Sequence, residues 1–510
     1  MLSTVYGYTL NGITAIKISI EANVCNGAFF SMVGLPDNSV KESYQRILSA
    51  LKNNEKPIPI KGITVNLAPA DLRKEGSGYD LPISLALLIA SGQVSDKNLS
   101  RTFIMGELSL GGELRAIRGV LPMLVQAKKD GFSCAILPKA NLNEAKIVEG
   151  ITIYAFEHIK EIFRFLAQSD VSNFITHNRN ELDIKTPKKC YAADFNEVKG
   201  QEDVKRALLI AAAGGHNAIL IGPPGSGKTM LSKRISGILP ALSKEEALET
   251  IAVHSVSGIN QTTEPLFIRP FRSPHHTISD VALVGGGTSP RPGEISLAHH
   301  GILFLDELPE FKRSVLEVLR QPLEDGKITI SRSKINTEFP AQFILIASMN
   351  PCPCGYHGHP DILCSCSTVM ISRYRKKISG PLLDRIDLHI EVNPVKIDEL
   401  SSNIVSENSS EIRAKVESAR NIQLARFKHL PNTLALNSRM QTREINLFCR
   451  LSLKGGSILK NAVKKLNLSA RAYDRILKVA RTIADLENSD EIKTSHISEA
   501  IQYRQLDRKL

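Results

Sequence analysis

No apolar run in this sequence approaches the eighteen or so residues that a bilayer crossing needs. The longest candidate, residues 81–90, is short and interrupted by Pro82 and Ser84, so no membrane role is expected. No lysine or arginine precedes Lys17, which leaves the amino terminus without the charged start of a secretory signal, and a cytoplasmic location is expected. Cysteine is sparse too: eight in 510 residues cannot staple a disulfide scaffold, although four of them lie close together. What remains is ordinary for a soluble protein, with 42% hydrophobic and 23% charged residues and length for about three domains. The net charge of +12 and pI near 9.2 point to a polyanionic partner, taken first as nucleic acid.

The most informative stretch is Asn217 to Thr229. An apolar run, Ala218 to Ile221, predicts a buried strand, and it opens into Gly222, Pro223, Pro224, Gly225, Ser226, Gly227, Lys228 and Thr229, matching G-x-x-x-x-G-K-T. Glycines let backbone N–H groups turn inward around phosphate oxygens, Lys228 adds a positive charge at the β and γ phosphates, and the Thr229 hydroxyl suits magnesium. A helix is expected over 230–239. Together these residues predict ATP with Mg²⁺.

A second apolar strand, 301–305, ends in Asp306 and Glu307. Two adjacent carboxylates at a strand's carboxyl end can divide the labour, Asp306 holding the magnesium shell and Glu307 polarising the attacking water. A third strand, 343–348, delivers Asn350, suited to orienting water or the γ-phosphate.

The amino-terminal residues 1–167 read as mixed α and β, with strands at 13–20 and 63–67 and helices at 39–53 and 82–91. Two segments, Arg73 to Leu81 and Met105 to Asn141, resemble the proteolytic domain of Lon-type proteases, a fold shared with a ribosomal protein domain. Those proteases need a serine activated by a lysine. On this sequence the serine position falls at Gly78, one residue from Ser77, and the lysine position at Leu121, so proteolysis is not expected. Residues 168–190 are polar and aperiodic, and read as a linker.

Gly222 to Thr229, Gly301 to Glu307, Asn350 to Gly355, Gly380 to Leu388 and Leu468 to Arg475 together resemble the magnesium-chelatase-like AAA+ ATPases of the YifB/ComM family. The resemblance implies an α/β P-loop AAA+ core over 191–395 and a helical lid over 396–510, both following a degenerate Lon-like α+β module. It implies a homohexamer, assembled with nucleotide, that couples ATP hydrolysis to branch migration or unwinding of single-stranded or branched DNA during integration of incoming DNA. Arg385 matches the family's arginine finger and Arg471 the second sensor, acting from the lid. Residue by residue, a surface ion pair of Arg385 with Asp384 or Asp387 stays open, as does a solvated Arg471. Two other readings also stay open for the whole chain: a chelatase-type motor acting on a metal-insertion partner, and a Lon-like unfoldase.

Two insertions bear on the substrate. Residues 327–339 alternate as a hairpin with a basic tip, where Arg332 and Lys334 are candidates for contacting DNA phosphates. Residues 269–293, rich in arginine, histidine and glycine, resemble the second-helix insertion of the chelatase group, its glycines favouring flexibility. Cys352, Cys354, Cys364 and Cys366 form C-x-C, nine residues, C-x-C, a candidate structural Zn²⁺ site. In the carboxy-terminal region, helices are expected over 411–427, 470–486 and 496–503, the first turning Ile412, Val416, Ala419, Ile422 and Ala425 inward.

Overall fold

The computed structural model describes residues 1–177, 194–259, 267–287, 290–332, 335–394, 407–430, 436–466 and 468–504. Contacts within the chain cluster into two units. One comprises Met1–Thr186 with Ala247–Leu266, the other Pro187–Glu246 with Phe267–Leu510. Among the described residues no helix is long and apolar enough to cross a membrane.

The first unit is built on a seven-stranded sheet, ordered Phe30–Val33, Gly62–Ala68, Thr14–Cys25, Leu2–Asn11, Thr102–Ile104, Cys134–Pro138 and Thr152–Phe156. Leu2–Asn11 and Thr14–Cys25 form a long antiparallel hairpin whose register runs from Leu2 opposite Asn23 to Asn11 opposite Thr14. Alternate residues of Leu2–Asn11 are buried at its start, as a sheet with one covered face requires. The helix Asp80–Ala90 is buried on every side, which explains why its sequence is apolar all round. It begins two residues before the expected start because Asp80 belongs to its first turn, where the carboxylate accepts from Arg46 Nε at 2.8 Å and Nη2 at 2.9 Å.

Gly78 and Leu121 themselves carry neither a nucleophile nor a base. A Cβ on Gly78 would lie 3.2 Å from Met105 Cε, and Leu121 is fully buried in the helix Val120–Lys129. The neighbouring Ser77 hydroxyl donates to Glu107 rather than to a lysine.

The second unit is organised by a five-stranded sheet in the order Phe271–Arg272, Ile302–Leu305, Ile344–Met349, Ala218–Ile221 and Leu388–Glu391. Every pair in it is parallel. Ala218–Ile221, Ile302–Leu305 and Ile344–Met349 are buried at every residue, as expected of a parallel sheet covered on both faces. Register places Ile221 beside Met349 and beside Glu391, and Leu305 beside Ala347. Gly222, Asp306 and Asn350 therefore follow the carboxyl ends of three adjacent strands, the edge at which open α/β sheets bind ligands.

Helices cover this sheet. Glu202–Gly214 packs against Ser409–Phe427 and Ala470–Leu486, with Val204, Leu208, Ile412, Val416, Ile476, Leu477 and Ile483 in a common core. Ser409–Phe427 departs from its expected inward face: Ile422 is only partly buried and Ala425 is exposed, whereas Arg420 and Gln423 are buried. Arg420 donates to the Ala212 carbonyl at 2.7 and 3.1 Å, and Gln423 to the Ala213 carbonyl at 3.1 Å. Both are carbonyls of the last turn of Glu202–Gly214, which have no intrahelical partner. Two polar side chains that satisfy those carbonyls therefore take the inward positions.

The helix after Thr229 also differs from expectation. It runs Lys228–Arg234 and then tightens into a 3₁₀ turn at Ile235–Ile238, rather than continuing to Leu239. In the 269–293 stretch, Gly285–Gly286 pairs with Arg291–Pro292, and a Cβ on Gly285 would come within 2.3 Å of the Arg291 carbonyl oxygen. Gly285 serves close backbone approach, and Gly286 a backbone φ of 147°. Arg269 is buried and donates to Glu246, and Arg272 donates from Nε and Nη2 to the two oxygens of Glu294, so both are engaged by carboxylates.

Candidate nucleotide site

The loop from Gly222 to Gly227 leaves a fully buried strand and enters the helix Lys228–Arg234. Two glycines in it are required on different grounds. At Gly222 a Cβ would stand 2.2 Å from the Val392 carbonyl oxygen, so only hydrogen fits. At Gly225 the backbone has φ 76°, in the left-handed region, and a Cβ would meet nothing within 4 Å. Ser226 Oγ donates to the Pro223 carbonyl at 2.9 Å, closing the turn.

Lys228 is buried beneath this loop. Its Nζ donates to the Gly222 carbonyl at 2.8 Å, the Pro223 carbonyl at 2.7 Å and Asn350 Oδ1 at 3.2 Å. Burial pulls its pKa below the usual lysine value, against the opposing pull of Asp306 and Glu307. Burial disfavours the ammonium, and a nearby anion would favour it.

Thr229 Oγ1 donates to Asp306 Oδ2 at 2.8 Å, while Ser348 Oγ and the Glu307 amide, at 3.1 Å, donate to Asp306 Oδ1. Both oxygens of Asp306 are thus oriented by named donors. Ser348 was not singled out from sequence, although it is the small polar residue two before Asn350 on a strand otherwise apolar but for it. Glu307 has φ 53°, a left-handed conformation that a non-glycine residue adopts at a cost of roughly 1–3 kcal/mol. Its side chain stays 59% exposed, with His276 Nδ1 at 3.8 Å from Oε2. The ring of His276 in turn lies 4.1 Å from that of His275 and 6.4 Å from that of Phe311. Sequence reasoning placed His276 in a substrate insertion, and only the fold brings it to Glu307.

Gln201 is a further residue the sequence did not reveal. Its Nε2 donates to the Ser226 carbonyl at 2.9 Å and to the Asn393 carbonyl at 3.0 Å, tying the loop to the segment after the edge strand. The Gly200 turn just before it was the available signal.

The structure therefore brings together two hydrogen-bonded pairs, Lys228 with Asn350 and Thr229 with Asp306, on consecutive residues of one helix, with Glu307 adjoining. Arg385 and Arg471 make none of these bonds. Arg385, its side chain 12% exposed, donates to Glu324 and to the Pro381 carbonyl at 2.8 Å, and its Nε is buried without a partner. The expected alternatives, Asp384 and Asp387, are not its partners: Asp387 is buried and bonded to Arg475, with His216 Nδ1 at 3.0 Å. Arg471 is exposed in the first turn of Ala470–Leu486, where Ser469 Oγ caps by accepting from the Ala472 amide at 3.2 Å. Lys327–Arg332 and Ile335–Pro340 pair as an antiparallel hairpin, from Lys327 opposite Pro340 to Arg332 opposite Ile335. The Arg332 side chain and Lys334 lie outside the described residues.

Cys352, Cys354, Cys364 and Cys366 converge, with their ligand atoms all within 4.8 Å of one another. They occupy the loop that leaves Asn350.

Against known proteins, residues 194–400 match the family described as Magnesium chelatase, subunit ChlI, residues 20–141 the family Subunit ChlI of Mg-chelatase, and residues 406–504 Magnesium chelatase, subunit ChlI C-terminal. The competence protein ComM of Haemophilus influenzae is 43% identical over 511 residues, covering 100% of this chain and 98% of that protein. Protein YifB of Escherichia coli is 42% identical over 516 residues, with the same coverage of 100% and 98%. The magnesium-chelatase subunit ChlI of Cyanophora paradoxa is 22% identical over 331 residues, which is 59% of this chain and 86% of the relative.

Proposed function

The chain belongs to the YifB/ComM family of magnesium-chelatase-like AAA+ proteins, and from that membership we propose that it is a cytoplasmic ATPase that drives movement on DNA. The observation that carries the reading is the convergence of Lys228, Thr229, Asp306 and Asn350 at the ends of three parallel strands. A triphosphate would lie along the Gly222–Gly227 loop, its β and γ phosphates drawn to the Lys228 ammonium. Thr229 and Asp306 offer hard oxygen donors 2.8 Å apart, a set that fits Mg²⁺. When bound, that ion would supply charge neutralisation at the phosphates. Glu307, exposed beside this group, is placed to polarise water, and Asn350 to orient it.

Arg385 acts as the arginine finger of a neighbouring copy in a homohexamer, and Arg471 as a second sensor from a carboxy-terminal helical lid. Residues 1–167 are a Lon-like module without protease chemistry, consistent with Gly78 and Leu121 at the dyad positions. The substrate is single-stranded or branched DNA, on the strength of the net charge of +12 and of ComM's name as a competence protein. Branch migration that integrates incoming DNA in natural transformation is the activity this implies, with Arg332 and Lys334 touching phosphates.

The test is Mg²⁺-dependent ATP hydrolysis with and without single-stranded and branched DNA. Stimulation by DNA is expected, and Lys228→Ala should remove hydrolysis altogether. Arg332→Ala with Lys334→Ala should weaken DNA binding and leave basal hydrolysis intact. ATPase activity indifferent to DNA, with no DNA bound at moderate salt, would instead favour a chelatase-type motor working on a protein partner.

A further inference from the structure

The loop from Pro351 to Ser367 contains no regular helix or strand, and its large apolar side chains point outward: Ile362 is 44% and Leu363 97% exposed. A loop of this length without a core of its own needs another constraint. Its four cysteines supply one. Sγ of Cys352 lies 3.3 Å from that of Cys354 and 3.7 Å from that of Cys364, and Cys354 and Cys364 are 3.5 Å apart. These separations are far beyond the roughly 2.05 Å of a disulfide. They approach the roughly 3.8 Å edge of a sulfur tetrahedron around zinc, given metal–sulfur bonds of about 2.3 Å. Backbone amides also turn toward the sulfurs, Cys354 N–H donating to Cys366 Sγ at 3.4 Å and His357 N–H to Cys352 Sγ at 3.3 Å. Such donors stabilise thiolate ligands and fix their orientation.

This knuckle rests on the phosphate loop. Gly355, between the two cysteine pairs, has φ 88° and packs so closely on Pro224 that a Cβ there would come within 2.5 Å of its Cδ and 2.7 Å of its Cγ. The turn is closed by the Gly355 amide donating to the Cys352 carbonyl at 3.0 Å. The same segment begins at Asn350, which accepts from Lys228, and Pro351 is held through its carbonyl by Arg375 Nε at 3.1 Å. The cysteine cluster is thus coupled to the phosphate loop at two points, Pro224 and Lys228.

We propose that Cys352, Cys354, Cys364 and Cys366 bind one zinc ion, and that the metal-held knuckle buttresses the phosphate loop, so that zinc occupancy sets nucleotide affinity. The second half rests on the nucleotide reading above.

Metal analysis of protein purified without chelator should find one zinc per chain, retained in Cys25→Ser and lost in the double variant Cys364→Ser with Cys366→Ser. Cobalt substituted for zinc should give the visible absorption of tetrahedral thiolate coordination. A fluorescent ATP analogue should bind the double variant about tenfold more weakly than the parent, while far-ultraviolet circular dichroism shows the fold retained. Gly355→Ala separates the two halves: it should keep its zinc and still lose nucleotide affinity. Equal zinc in the parent and the double variant, or none in either, overturns the site. Full nucleotide affinity in a zinc-free double variant, or in Gly355→Ala, overturns the buttress. One zinc per chain in a parent protein that binds no nucleotide would sink the ATPase reading and the coupling together while leaving the metal site standing.

Discussion

Asp387 shows how much of the second unit's stability hangs on single ionisable side chains. It is buried between Arg475 and His216, whose Nε2 in turn reaches Thr482 Oγ1 at 2.8 Å. Burial pushes the carboxyl pKa up, but the charge of Arg475 and the bond to His216 outweigh it and hold the group well below the usual carboxylate range. A depressed folded value means that the stabilisation is complete above the unfolded pKa of about 3.9 and drains away as pH falls through the folded one. Asp387→Asn removes the counter-charge of the part-buried Arg475, whose side chain is 22% exposed, and should cost roughly 2–3 kcal/mol at neutral pH. Urea midpoints measured across pH should show that gap narrowing below about pH 4; a gap constant down to pH 2 would mean that Asp387 is not ionised in the fold. Residues of this kind resist detection from sequence. Arg475, Asp387 and His216 lie far apart along the chain and each would pass for a solvated side chain. The pairing of Arg385 with Glu324 escaped for the same reason, since nothing local announces that partner.

Among elements, the three central parallel strands were legible because burial on both faces demands continuous apolar runs, and Ala218–Ile221 occurs where Asn217 and Gly222 bracket it, whereas the edge strands Phe271–Arg272 and Leu388–Glu391 carry polar residues and gave no such run. Ala470–Leu486 was legible to the residue, since Ser469 caps it and Ile476, Ala480 and Ile483 repeat at helical spacing. Ser409–Phe427 was misread on its inner face because a buried arginine that bonds backbone carbonyls is indistinguishable, by composition, from one facing water. The glycines of the phosphate loop offer a test of how local geometry divides between folding and binding. Gly222→Ala would drive a methyl into the Val392 carbonyl and should destabilise by roughly 1–3 kcal/mol, with loss of nucleotide binding as a by-product. Gly225→Ala meets no neighbour and should cost only about 1–2 kcal/mol of left-handed strain, yet lose nucleotide affinity at least as severely. Denaturation curves paired with nucleotide titrations distinguish the two, and the reverse ranking in stability would contradict the close approach at Gly222.

For the molecule as a whole, the proposed seam between copies makes a prediction that no single chain can. Arg385 is occupied by Glu324 in its own chain and makes no bond to Lys228, Thr229, Asp306 or Asn350. If it serves a neighbour's nucleotide, Lys228→Ala and Arg385→Ala proteins should each be inactive alone and recover a fraction of ATPase activity when mixed, because some seams then pair an intact loop with an intact arginine. No recovery, with mixed assembly verified by tagged copies, would place the essential arginine within the same chain or elsewhere. The division of the chain into units has a separate consequence. Residues 247–266 belong with the amino-terminal unit although residues 187–246 and everything after 266 belong to the other, so the helix Lys244–Ser257 starts in one and finishes in the other. Within the amino-terminal unit, Ser255 donates to Glu144 and accepts from the Gly119 amide. Neither half is therefore a cassette: a gene fusion that transplanted only the first 186 codons would strand Glu144 without its serine, and recombination between relatives should preserve function only where the 247–266 segment travels with the amino-terminal part.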